Sequence, residues 1–149
     1  MPIIRSRSWV AAPIETAFAF FDNPVNLSRL MPPPVRIHLV RIEPAPPQPG
    51  SIFEFRYGLG RFQRSWIVRL VDRIENDRFV DETLAGPMVR FHHSHTFTAA
   101  RRGTWIEDRI DYHVGPDGPV GVVVDLVAGL VMRLTFVWRG VRQRQLLAK

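Results

Sequence analysis

Val89-Arg90-Phe91-His92-His93-Ser94-His95-Thr96-Phe97 is the stretch that decides how this chain folds. Side chains alternate faces along an extended strand. Val89, Phe91, His93, His95 and Phe97 therefore share one face, and Arg90, His92, Ser94 and Thr96 the other. The first face is an apolar stripe that holds two imidazoles. Ionisable groups among apolar neighbours are costly unless partnered. The stripe predicts either a polar spot in a core or the lining of a ligand cavity.

Working outward, Arg101-Arg102-Gly103 reads as the tip of a hairpin whose arms cover 88–99 and 104–114. That register sets His95 opposite Asp108, Phe97 opposite Ile106, His93 opposite Ile110 and Phe91 opposite Tyr112. Alternation agrees, because Thr104, Ile106, Asp108, Ile110 and Tyr112 form the more apolar face of the second arm. Further strands are predicted at 3–10, 35–43, 51–57, 61–74 and 78–84, separated by Gly- and Pro-bearing turns. Ala12-Pro13-Ile14-Glu15 starts a helix, with proline and an acid suited to a first turn. Asp22-Asn23-Pro24 breaks it, and a second short helix over 24–30 ends at Met31-Pro32-Pro33-Pro34. After Gly115-Pro116-Asp117-Gly118-Pro119 comes one long helix, about 120–147.

Strands in hairpin succession imply an antiparallel meander, whose apolar face needs a cover. The stripe Val123, Val127, Leu130, Leu134, Val137 and Val141 lies at one-face helical spacing and is predicted to supply it. The expected fold is α+β: seven antiparallel strands wrapped around a long C-terminal helix, with two short helices between the first two strands. At 149 residues, 46% of them apolar, the chain is expected to form a single domain, residues 1–149, with a real core.

Composition narrows the functions. No cysteine is present, which excludes disulfides and thiolate metal sites. Met1-Pro2-Ile3-Ile4-Arg5 lacks the charged and apolar regions of a signal peptide, so the cytoplasm is the expected compartment. Net charge is +6, but the arginines are scattered from Arg5 to Arg144, with only Arg139, Arg142 and Arg144 clustered, which argues against nucleic acid as partner. Residues 119–138 approach the length of a membrane span, yet Asp125 and Arg133 interrupt them, so no span is expected. Val124, Val131, Met132 and Phe136 lie off the main stripe, and that second apolar side suggests a homodimer contact or a transient membrane-surface encounter.

Across nearly the whole chain, in order, several pieces resemble the SRPBCC group of the START-like helix-grip superfamily, which includes polyketide cyclases and lipid-transfer domains. They are Ala12-Pro13-Ile14-Glu15, Asn26-Leu27 with Met31-Pro32-Pro33, Trp66, Phe79-Val80-Asp81-Glu82 with Gly86-Pro87, the Phe91–Phe97 stretch, Gly103-Thr104 with Asp108-Arg109-Ile110-Asp111-Tyr112, and Phe136 with Arg139. The resemblance implies a sheet gripping the last helix around a hydrophobic cavity, with members that bind lipids, sterols or polyketides and only some that are enzymes. Pro116-Asp117-Gly118-Pro119 departs from the pattern by an extra turn just before that helix.

The candidate sites follow from these placements. His95 and Asp108 form a candidate catalytic pair, in which a carboxylate orients an imidazole for proton transfer; the bland alternative is a cross-strand polar pair that fixes register. His93 and His95 share a face and would need a third donor to ligate a metal; no metal and no cofactor are assigned. His92 and His113 are expected on the solvent side. Arg64 falls on the apolar face of its strand and would clamp a ligand carboxylate or phosphate, or snorkel past a rim. Of Asp81 and Glu82, one at most points inward. Expected ligand-binding residues are Phe53, Phe55, Arg64, Trp66, Phe91, His93, His95, Phe97, Asp108, Ile110, Tyr112, Leu130 and Leu134. The sequence favours a module that binds a small apolar or amphipathic, lipid- or polyketide-like molecule. The alternative is a polyketide cyclase or dehydratase in which His95 moves protons, Asp108 orients it and Arg64 or Tyr112 stabilises an enolate.

Overall fold

The structure is a computed structural model and describes residues 2–148. Its elements run β1 (Ile3–Val10), α1 (Ile14–Asp22), a 3₁₀ turn (Pro24–Arg29), β2 (Val35–Glu43), β3 (Ile52–Leu59), β4 (Phe62–Ile74), β5 (Arg78–Ala85), β6 (Arg90–Ala100), β7 (Gly103–His113) and α2 (Pro119–Leu146). The seven strands form one antiparallel sheet in the order β1-β7-β6-β5-β4-β3-β2. The second short helix of the sequence reading is the 3₁₀ turn, opened by Asn23, whose side chain accepts from the Val25 amide at 3.1 Å, and by Pro24 behind it.

The β6–β7 register is the one read from the turn: His95 faces Asp108, Phe97 faces Ile106, His93 faces Ile110 and Phe91 faces Tyr112. Phe18 of α1 drops its ring edge-on against Phe79 and Phe97, and Val10, Ile106, Val68 and Leu70 close the core beneath. A paired contact ties the end of α1 to β4, with Arg73 donating through Nε and a terminal nitrogen to the two Asp22 oxygens at 2.8 and 2.7 Å.

The long helix turns a different face to the sheet from the one its apolar stripe predicts. Val123, Val127, Leu130, Leu134, Val137 and Val141 are all exposed. Gly121, Asp125, Gly129, Phe136, Arg139 and Gln143 are buried instead. Closeness explains the choice. A side-chain carbon on Gly129 would lie 2.2 Å from the Tyr112 hydroxyl, and one on Gly121 would lie 1.5 Å from the Pro116 carbonyl. The helix backbone approaches the sheet where it has no side chain to obstruct it. Asp125 secures that approach: it accepts from the Val114 and Gly115 amides at 2.7 and 3.1 Å and meets His113 Nδ1 at 2.7 Å, while its backbone carbonyl accepts from Tyr112. His113 is therefore half-buried in this staple rather than solvated. Near the far end, Gln143 donates to Ser8 of β1.

By length and apolarity α2 could cross a membrane. One such helix is no evidence of a span, and here its polar side is engaged with the sheet.

Candidate functional site

Between the sheet, the 3₁₀ turn and the middle of α2 lies a cavity of about 260 Å³. Phe53 and Phe55 from β3, Trp66 and Val68 from β4, and Phe91 from β6 form its sheet wall. Leu27, Leu30 and Met31 close one end, and Met132 and Phe136 contribute from α2. Alternation places these rings together, since inward residues of neighbouring strands pair directly: Phe53 with Val68, Phe55 with Trp66. Trp66 is held by its indole N–H, which donates to the Thr83 hydroxyl at 2.8 Å.

One wall is polar. His93 and His95 line the cavity with Asp81, and their rings lie 3.8 Å apart, centre to centre. Asp108 sits behind them, buried, its Oδ1 2.9 Å from His93 Nε2 and 2.8 Å from His95 Nδ1. The first contact is a hydrogen bond; the second has ion-pair distance but lies off the hydrogen-bond line. Asp81, opposite His93 in the β5–β6 register, approaches His95 Nε2 at 3.5 Å. Phe79 stacks on the other side of the His95 ring at 4.2 Å.

The two imidazoles are driven apart electrostatically. Burial lowers the pKa of His93 to about 4, reinforced by the charge on His95 and only partly opposed by Asp108. Burial acts on His95 in the same direction, but contact with Asp108 and Asp81 more than offsets it and raises its pKa. Burial would raise the pKa of Asp108, but its hydrogen bond to His93 and its close contact with His95 override that and hold it low. The cluster thus sets a His93 with lowered proton affinity beside a His95 with raised proton affinity. Asp81, His93 and His95 each bring one ligand atom within 4.8 Å of the others, so these three residues could hold a divalent cation, with Asp108 orienting the rings from behind. Asp81 is the third donor that the histidine pair alone lacks.

Of the residues expected to bind ligand, Phe53, Phe55, Trp66, Phe91, His93, His95 and Ile110 line the cavity. Phe97, Asp108 and Tyr112 stand behind the wall, buried in the core, beneath the histidines and against α2 respectively. Leu130 and Leu134 do not reach it, because they occupy the exposed face of α2. Arg64 is exposed and outside the cavity lining, although its register partner Tyr57 is part of that lining. The arginine that does enter is Arg139, buried and lining the cavity, with its guanidinium 4.6 Å from the centre of the Phe136 ring. The available signal was positional, for Arg139 falls on the same helical face as Asp125, Gly129, Met132, Phe136 and Gln143.

A sheet closed by one long helix, with an apolar cavity between them, is matched at the level of sequence as well. The profile of the family described as polyketide cyclase / dehydrase and lipid transport matches residues 10–139. The chain belongs to this family. No curated protein matches it significantly. Among solved structures, a protein from Chromobacterium violaceum superposes with a TM-score of 0.77 at 13% identity, over 100% of this chain and 99% of that one. Ara h 8.0201 superposes at 0.64 with 14% identity, covering 93% and 95% of the two chains. The di-domain ARO/CYC StfQ from the steffimycin biosynthetic pathway superposes at 0.74 with 15% identity, over 98% of this chain and 50% of that one. At such identities the likeness is one of fold, and the fold is the helix grip.

Proposed function

We propose that this family member binds a small amphipathic molecule in the cavity, with its apolar body among the phenylalanines and Trp66 and its polar group at the histidine wall. The observation that carries this reading is the division of the cavity's lining: mostly aromatic and aliphatic, with the ionisable groups His93, His95, Asp81 and Arg139 on it and Asn23, Asn26, Tyr57 and Thr135 as its other polar residues. Such a lining gives affinity through burial and orientation through a few placed polar groups. Family membership supports the same class of ligand, since lipid transport and polyketide cyclisation both handle largely apolar molecules.

A cyclase or dehydratase is the second reading, supported by His95 at the cavity wall, whose pKa contact with Asp108 and Asp81 raises against burial, and by the shared fold with a polyketide cyclase. His95 would donate a proton to a carbonyl or departing hydroxyl oxygen, with Asp108 holding the ring. The weak point is the base. With its pKa lowered to about 4, His93 is poorly matched to removing a carbon-bound proton at neutral pH. Binding is accordingly the primary reading.

Calorimetry with 2-naphthamide tests it. The protein is expected to bind the probe with a negative heat-capacity change, as apolar surface leaves water. Ile110→Trp, which fills the cavity from β7, and Met132→Trp, which fills it from α2, should each weaken binding at least tenfold. Unchanged affinity in folded samples of both variants would remove the cavity from the account.

A further inference from the structure

Arg139 is a cavity-lining cation that makes no hydrogen bond or ion pair among the described residues. It is 8% exposed. Its Nε is fully buried and has no hydrogen-bond partner among the described residues. Burial lowers its pKa, and Asp108 and Asp81 oppose that only through space, without contact. The contrast with His95 is sharp, because that ring has Asp108 at 2.8 Å and Asp81 at 3.5 Å. A buried guanidinium without a bonded carboxylate is a costly arrangement for a protein to keep. The Phe136 ring beneath it supplies only the weaker attraction of a cation over a π face.

Resting on the binding reading above, we infer that Arg139 is the anion-recognition residue of the cavity and that the ligand is a small aromatic monocarboxylate. The aromatic body follows from the rings that face the space, Phe53, Phe55, Trp66, Phe91 and Phe136. The carboxylate follows from the planar fork of donors that arginine presents, which a carboxylate meets with two parallel hydrogen bonds. At about 260 Å³ the cavity has room for a two-ring acid. The ligand's charge then completes the pairing that Asp108 and Asp81 give to His95 and withhold from Arg139.

The test compares 2-naphthoate with 2-naphthamide, which match in shape and differ in charge. At neutral pH the protein should bind 2-naphthoate at least tenfold more tightly. In Arg139→Met the two probes should bind within twofold of each other, and Arg139→Lys should recover part of the preference. A readout independent of any variant is the Arg139 Nε–H resonance of the unaltered protein, which should move downfield with 2-naphthoate and stay in place with 2-naphthamide. Equal affinity for both probes, or a preference that survives in Arg139→Met, overturns the assignment. If 2-naphthamide still binds and Ile110→Trp still blocks it, the cavity reading stands and only the anion claim falls. If neither probe binds, both fall.

Discussion

Along α2, one face carries Gly121, Asp125, Gly129, Met132, Phe136, Arg139 and Gln143, and another carries Val123, Val127, Leu130, Leu134, Val137 and Val141. Both follow helical spacing, and the second is much the more apolar. The first is the one against the sheet. What separates them is distance rather than hydrophobicity. The inward face must let the backbone come down onto Tyr112 and the turn at Pro116, which glycine permits. It must hold that turn, which Asp125 does through two backbone amides. It must also give a cavity one polar corner, which Arg139 does. Burial here is set by what the helix has to reach, not by how greasy each face is.

The sharpest way to break this comparison is to alter one residue on each face. Gly129→Val drives methyl groups into Tyr112 and should cost about 3 kcal/mol, as overpacking of a tight site does. Leu134→Ala, on the outer face, should stay within about 0.5 kcal/mol. Denaturant unfolding of the two variants decides it, and equal costs would mean that the faces are wrongly assigned.

The acid limb of stability sharpens it further. Hydrogen bonds from the Val114 amide, then from His113, lower the pKa of Asp125 to about 2, against about 3.9 for an unfolded aspartate. A carboxylate with a depressed folded pKa stabilises the fold above its unfolded pKa. That contribution is therefore present above about pH 4 and is lost as pH falls from there to about 2. Asp125→Asn should lower the melting temperature at neutral pH and flatten its decline over that window, as followed by thermal melts in a pH series.

A smaller effect is expected at the histidine wall. Asp108→Asn keeps the shape and removes the negative partner, so the His95 pKa should fall, burial then acting with less opposition. NMR titration of the ring reads this directly. An unchanged His95 titration would mean that the contact with Asp108 carries no weight in its protonation.

These elements were not equally legible in the sequence. The sheet was, because period-two alternation and Gly/Pro turns specify strands locally, and a single tip at Arg101-Arg102 fixes which residues of β6 and β7 face each other. His95 and Asp108 could thus be brought together from sequence alone. The inner face of α2 could not, since two stripes share one period and hydrophobicity points to the wrong one. Arg139 was hidden by company, reading as one of a charged group with Arg142 and Arg144. Arg64 misled for the opposite reason: alternation sets it opposite Tyr57, a lining residue, but does not say whether a long charged side chain stays in the cavity or reaches solvent.

The central claim is that ligand enters the space bounded by the inner face of α2 and the histidine wall. Chemical-shift mapping with 2-naphthoate tests it most directly. The account predicts perturbation of the His93 and His95 rings, the Met132 methyl, Phe136 and the Trp66 indole, with Leu130, Leu134 and Val137 unmoved. Shifts gathered on those outer residues, with the histidine rings silent, would contradict it.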